Sequence, residues 1–233
     1  MMTRTSATTV TPPPTANPPA GRRPALTLLV LLGPLSIAIL RTLLPYGTND
    51  SPTTVVAKVA AQPGAEAAVL WLSLLAGFTL VPGMIAVGLH AARRSRVLGT
   101  AALVVSVAGF SGLPAIVAVD QVAQSGTRAN VPADVTARLL RHLLDEPTVA
   151  IPTMIFVAGH VAGVVLLGIA LWRGGILPGW AGLVLSISQP LHLLFATIAP
   201  NPLLDGCAWL LTAAGLAFAT ARASAGHGLP ATA

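Results

Sequence analysis

Long apolar stretches alternate with short polar breaks along this chain, and the apolar ones fall at 25–45, 67–91, 98–120, 149–172, 176–199 and 202–221. At about 1.5 Å rise per residue, about 20 residues of helix cross a hydrocarbon core of about 30 Å, so each stretch is long enough to span a bilayer. In lipid the backbone has to satisfy its own hydrogen bonds, which leaves helices or a closed barrel. Barrel strands alternate polar and apolar residues, and these stretches do not. The pattern predicts an all-α, polytopic bundle of six transmembrane helices.

The polar breaks carry less order. Residues 1–24 are rich in Thr, Pro and Ala without an apolar period and read as a disordered tail, and 223–233 form a second short tail. Arg22-Arg23 precedes the first apolar stretch, but no small-residue cleavage site follows it, so that stretch reads as a retained signal-anchor helix. Between the third and fourth stretches, Val135, Leu139, Leu140, Leu143 and Leu144 recur at helical spacing beside Arg138, Arg141 and His142. The segment 132–145 is therefore expected to be an amphipathic helix, lying on the membrane surface or capping the bundle. A shorter helix is expected over 51–61, with Ser51 as N-cap and Pro52 in its first turn.

Composition agrees with a membrane class. Of 233 residues, 54% are hydrophobic and 9% charged, against about 25% charged in soluble domains; the mean hydropathy is +0.79. The net charge of +6 is not a nucleic-acid footprint, because the basic residues sit at the ends of apolar stretches instead of on one polar segment. With a cytoplasmic N-terminus, Arg4, Arg22, Arg23, Arg93, Arg94, Arg96, Arg173 and Arg222 fall inside, against Lys58, Arg128, Arg138 and Arg141 outside. The positive-inside rule then puts both termini in the cytoplasm of a cell membrane protein. Cys207 is the only cysteine, which excludes an intrachain disulfide and a multi-cysteine zinc site, and no metal-ligand cluster, P-loop or dinucleotide fingerprint occurs.

Candidate chemistry lies with polar residues inside the spans, where they are costly to place. His160 is near the middle of the fourth span and His192 lies toward the outer end of the fifth. His160 shares its helical face with Thr153, Gly163 and Leu167, and His192 shares its face with Ser188 and Gln189, so both rings are expected inside the bundle. The tight connection at 173–175 makes the two spans antiparallel neighbours, which brings the imidazoles within reach of each other. Three roles compete for them: hydrogen bonding between helices, a titrating proton or ligand site, and paired haem ligation. Pro190 invites a kink, with Ser186, Ser188 or Gln189 as candidates to satisfy the freed Ser186 carbonyl. Gly159 and Gly163 permit close approach of a neighbouring backbone.

A second constellation joins Arg41, Asp120 and Asp205, all in the outer third of their spans. Asn201-Pro202 resembles an N-cap followed by proline, which places Asp205 in a first helical turn where the dipole favours an anion. Snorkelling of Arg41 and termination of a helix at Asp120 are the alternatives to an ion cluster closing an outward-facing pocket. Gly109-Phe110-Ser111-Gly112 and His160-Val161-Ala162-Gly163 resemble the serine and histidine motifs of rhomboid intramembrane proteases. Those motifs lie on parallel helices in rhomboids, whereas Ser111 and His160 belong to consecutive, opposed spans.

Several short motifs resemble a group of uncharacterised actinobacterial six-helix membrane proteins: Leu44-Pro45-Tyr46 through Ala57-Lys58-Val59, Gly159-His160-Val161-Ala162-Gly163, Leu171-Trp172-Arg173, Ser188-Gln189-Pro190-Leu191-His192, and Asp205. The resemblance implies the same topology and carries no established activity. The expected function is a non-enzymatic binding or sensing membrane protein without a cofactor, whose partner is the lipid bilayer. A proton-linked small-molecule permease and an intramembrane serine hydrolase are the alternatives.

Overall fold

The computed structural model describes residues 22–225. Of the tails expected at 1–24 and 223–233, residues 1–21 and those beyond 225 lie outside the described residues, whereas 22–24 already belong to the first helix and 223–224 to the last. The helices are α1 (Arg22–Leu43), α2 (Pro52–Ala61), α3 (Pro63–Arg94), α4 (Arg96–Ser111), α5 (Leu113–Arg128), α6 (Ala133–Asp145), α7 (Pro147–Arg173), α8 (Gly179–Leu193) and α9 (Pro202–Ser224). A single π-helical turn, Leu194–Ile198, extends α8. Among the described residues, six helical segments are long and apolar enough to cross a membrane, with α4 and α5 together forming one of them. The molecule is an all-α bundle and a multi-pass membrane protein.

The six spans close into a ring in chain order. Each packs on the next, α1 on α3, α3 on α4, α4 on α7, α7 on α8 and α8 on α9, and α9 returns to pack on α1. In a bilayer, apolar side chains gain little by leaving lipid for each other, so such seams depend on close backbone approach at small residues. The α4–α7 seam is one example. A Cβ on Gly109 would lie 2.4 Å from the Gly159 carbonyl carbon and the His160 nitrogen, and one on Gly163 would lie 2.5 Å from Ser106 Oγ. The Gly159/Gly163 pair thus serves packing as expected. The ring-closing seam repeats the device: a Cβ on Gly206 would meet Thr42 Cγ2 at 2.7 Å and the Ala38 carbonyl at 2.9 Å.

Helix boundaries depart from the apolar pattern in three places. The third span breaks at Gly112, because Pro114 has no N–H for the Phe110 carbonyl and its ring crowds that carbonyl. At the break a Cβ on Gly112 would sit 2.3 Å from the Pro152 carbonyl, so glycine there lets α7 press against the bend. Asp120 does not end its helix; α5 continues through a polar stretch to Arg128. Around Pro190 the helix continues to Leu193, but the expected capping is not used. Ser188 Oγ bonds the Leu185 carbonyl, Ser186 Oγ bonds the Gly182 and Val165 carbonyls, and Gln189 reaches across to Thr212.

At one end of the ring, hereafter the cap end, α2 and α6 fold over the helix ends. Ser51 caps α2 by accepting from the Thr54 N–H, with Pro52 in the first turn as the sequence predicts. The amphipathic helix α6 buries Thr136, Ala137 and Leu140. Its Leu140 joins Val55, Val56 and Val59 of α2 and Ala123 of α5 in a second apolar cluster. Leu140 and, in part, Leu143 are spent on the protein while Leu139 and Leu144 stay exposed, so α6 caps the bundle with only part of its apolar face. Arg93, Arg94, Arg96, Arg173 and Arg222 gather at the opposite end, where α3, α7 and α9 finish and α4 begins.

Candidate functional site

Three spans deliver polar groups to one place beneath the cap. Arg41 comes from the last turn of α1, His192 from the end of α8, and Asp205 from the first turn of α9. Asn201 caps α9 by accepting from the Leu204 N–H at 3.1 Å, so the Asp205 carboxylate stands at a helix N-terminus, where the dipole favours it. Arg41 Nε donates to Asp205 Oδ2 at 2.5 Å, and His192 Nδ1 donates to Asp205 Oδ1. A second Arg41 nitrogen donates to Thr48 Oγ1 at 3.1 Å. Asp205 is fully buried yet has a donor on each oxygen, which is what a carboxylate among membrane helices requires.

His160 lies beside this chain of bonds, and the two imidazole centroids are 5.5 Å apart. The His160 ring is held on several sides. Phe156 stacks on it at 4.4 Å, and Trp209 lies near-parallel at 5.9 Å. Phe110 adds a tilted contact at 6.0 Å. His160 Nδ1 bonds the Phe156 carbonyl at 2.5 Å. A carbonyl only accepts, so Nδ1 carries the hydrogen, and in the neutral ring Nε2 is left as an acceptor. That Nε2 and the Trp209 indole N–H are both buried without a protein partner.

These groups line a cavity of about 310 Å³. Its polar lining includes Arg41, Tyr46, Asp120, Thr153, His160 and His192, and its walls include Ile37, Leu113, Phe156 and Trp209. Leu140 and Leu144 of α6 and Val55 of α2 form part of the lining from the cap. A mostly apolar cavity with a few convergent polar groups is the usual form of a small-molecule site.

Asp120 belongs to a separate group. The Tyr46 hydroxyl donates to Asp120 Oδ1, and the Glu66 carboxyl of α3 faces Asp120. Glu66 is fully buried, and neither of its oxygens meets a donor. Two carboxylate groups both accept, so the Glu66–Asp120 contact becomes a hydrogen bond only when one carries a proton. Burial pushes the Tyr46 phenol well above its ordinary value near 10, with the Asp120 charge, its hydrogen bond and Glu66 adding to the shift and Arg41 partly offsetting it. At the cap rim, Asp50 accepts from Lys58 Nζ at 2.8 Å and from the Gly47 N–H at 2.7 Å. These bonds, the Lys58 one foremost, hold the Asp50 carboxyl below its usual range.

The sequence grouping is thus redrawn. His160 and His192 come together as expected, but Ser188 and Gln189 turn to Thr212 across the α8–α9 seam, with Ser188 Oγ and Gln189 Nε2 each at 2.7 Å from Thr212 Oγ1. Arg41 pairs with Asp205, whereas Asp120 pairs with Tyr46. Ser111 is exposed and its hydroxyl bonds the Val107 carbonyl, while His160 Nδ1 is bonded to Phe156, so the two do not form a dyad. Sequence reasoning missed Tyr46, Glu66 and Trp209 as parts of the site. Trp209 was legible, since Asp205, Trp209 and Thr212 recur at spacings of four and three on one helix face; nothing local marks Tyr46 or pairs Glu66 with Asp120. Comparison with protein families, characterised proteins and solved structures finds no match to this chain.

Two outcomes follow from this geometry. Neutralising Arg41 or Asp205 singly should destabilise the protein by about 3 kcal/mol, because it strands the other charge in a low-dielectric site. Arg41→Gln with Asp205→Asn should cost less than the sum, with a coupling of about 1–3 kcal/mol in detergent melts. The corresponding cycle between Arg41 and Asp120 should show a smaller coupling, and equal couplings would refute this division of the charges. The second outcome uses Tyr46 as the only tyrosine. Its ultraviolet titration should begin well above pH 10 in the folded protein and near pH 10 in denaturant. The folded value is the raised one, so the stability from this group is complete below pH about 10 and is lost as pH rises through the folded value. A native titration midpoint at 10 would contradict the buried Tyr46–Asp120 pair.

Proposed function

We propose that this protein binds a small molecule in the histidine-lined cavity and acts as a non-enzymatic binding or sensing protein of the cell membrane, with the cap facing outward and both termini in the cytoplasm. The observation that carries the reading is the unpartnered, buried His160 Nε2 at a cavity of about 310 Å³, beside an Arg41–Asp205–His192 chain that already has its own charges answered. A purely structural histidine would be expected to use both ring nitrogens when buried. Membership of the actinobacterial six-helix group belongs to the same proposal. Tyr46, His160 and His192, which carry that resemblance, all line the cavity, and Asp205 bonds one of them.

The permease reading keeps one observation in its favour, the Glu66–Asp120 contact, which needs a proton and lies next to the cavity through Asp120. Substrate-dependent proton uptake into proteoliposomes, abolished by Glu66→Gln, would replace binding by transport.

The binding reading is tested by filling the cavity. Ala196 is buried and lines it. Native mass spectrometry of the wild-type protein released from mild detergent should show a bound small molecule, and Ala196→Phe should lose it while still melting cooperatively. If the wild-type protein carries nothing and Ala196→Phe only raises the melting temperature, the cavity is a packing void and the proposal fails. Orientation is tested separately, in a background with Cys207 replaced. Cysteines at Thr53 and Asp134 should react with an impermeant thiol reagent in intact cells, and those at Ser95 and Ser224 only after permeabilisation. Labelling at Ser95 in sealed cells would invert the protein.

A further inference from the structure

A second cavity, of about 540 Å³, lies on the side of the bundle between α3 and α5. It exists because of the break at Gly112. Ahead of the break α4 lies against α3, where a Cβ on Gly99 would meet the Ala91 carbonyl carbon at 2.4 Å; beyond it α5 is engaged by α2, α6 and α7 as well. The groove is lined by Trp71, Leu74 and Phe78 of α3 and by Leu113, Pro114 and Val117 of α5. Trp71 is 73% exposed and Phe78 72%, so this wall faces the bilayer. From Ala67 to Phe78 the groove runs about 16 Å at helical rise, and from Leu113 to Arg128 about 22 Å, so it covers at least one leaflet of a hydrocarbon core about 30 Å thick.

Two features give this groove an occupant. Arg128 closes its cap end, exposed and with no acid in ion-pair range among the described residues. A cation at head-group depth above an apolar channel complements an anionic amphiphile. Ser73, Leu113 and Val117 also line the histidine cavity, so the groove and the cavity share a wall. On the far side of that wall Arg41 lies at the cap end of the inner cavity.

We infer that the ligand of the histidine cavity is a single-chain anionic amphiphile from the cap-side leaflet, which lies in the α3–α5 groove with its head group at Arg128 and enters sideways past Ser73, Leu113 and Val117. This rests on the binding reading of the cavity. The head group stays at the cap end of the groove beside Arg128, while the chain crosses the wall into the inner cavity. The entry path therefore never takes a charge through the hydrocarbon, which is the costly alternative.

The test uses Trp209, which is buried at the inner cavity, as reporter. Trp71→Phe, Trp172→Phe and Trp180→Phe leave it as the sole tryptophan, and the protein is placed in lipid nanodiscs. The probes are 9,10-dibromostearate and the water-soluble 2-bromobutyrate, since bromine quenches an indole only near contact. Dibromostearate should quench Trp209 saturably. Val117→Phe should slow the onset several-fold, and Arg128→Gln should weaken binding about two- to fivefold. Ser73→Leu narrows the same wall from α3 and replaces Val117→Phe if that variant does not fold. Quenching by bromobutyrate alone, indifferent to the wall variants, would leave the cavity as a site but overturn entry from the membrane. Quenching by neither probe, while Ala196→Phe still removes a bound molecule, would overturn the amphiphile and leave the cavity reading standing. Dibromostearate quenching that neither saturates nor responds to the wall or Arg128 variants would mark simple partitioning and also overturn the inference.

Discussion

A carboxylate among membrane helices is tolerated only when its charge is answered, and Asp205 is answered twice, by Arg41 on one oxygen and His192 on the other. That shared anion joins the first span to the last two. It lies at the seam where α9 returns to α1, so the ring of helices is closed electrostatically where the chain itself provides no link. The α9 N-terminus contributes as well, since the Asn201 cap and Pro202 orient the first turn with its dipole toward the anion. Glycine makes the contact possible: at Gly206 a side chain would collide with Thr42 and the Ala38 carbonyl.

The histidine cavity follows from this closure. With His192 oriented by Asp205, its ring approaches His160, which is locked by its own bond to the Phe156 carbonyl and by stacking on Phe156 and Trp209. Aromatic rings fill space rigidly but not completely, and the space they leave is bounded above by the α2–α6 cap. The cap has its own apolar cluster and its own polar tether, the Tyr46–Asp120 bond. The cap and the bundle therefore meet at α5, the helix that carries both Ala123 of the cap cluster and Asp120.

The break at Gly112 is the other decisive feature. An unbroken third span would pack along α3 for its whole length and close the lateral groove. Pro114 removes one backbone hydrogen bond, and Gly112, with no side chain, leaves the room that the Pro152 carbonyl of α7 occupies. The consequence is a half-span, α5, that serves the cap, the inner cavity and the bilayer-facing groove together.

Much of this was determined by the sequence alone. The six apolar stretches, the Ser51 and Asn201 caps, the amphipathic period of α6 and the small residues on α7 each express a local rule of period, capping or size, and each is found in the structure. The chain also placed His160 and His192 on inward faces of adjacent spans. The pairing of polar groups was decided only by tertiary structure. Arg41, Asp120 and Asp205 share a depth, and depth is readable from hydropathy; which of them meet depends on the order of helices around the ring, and the α1–α9 contact that sets it joins opposite ends of the chain. The same holds for Ser188 and Gln189, drawn to Thr212 instead of the histidines, and for Glu66 facing Asp120. Hydropathy records how far a residue sits along a helix, whereas partnership depends on which helix stands opposite, and only the closed ring decides that.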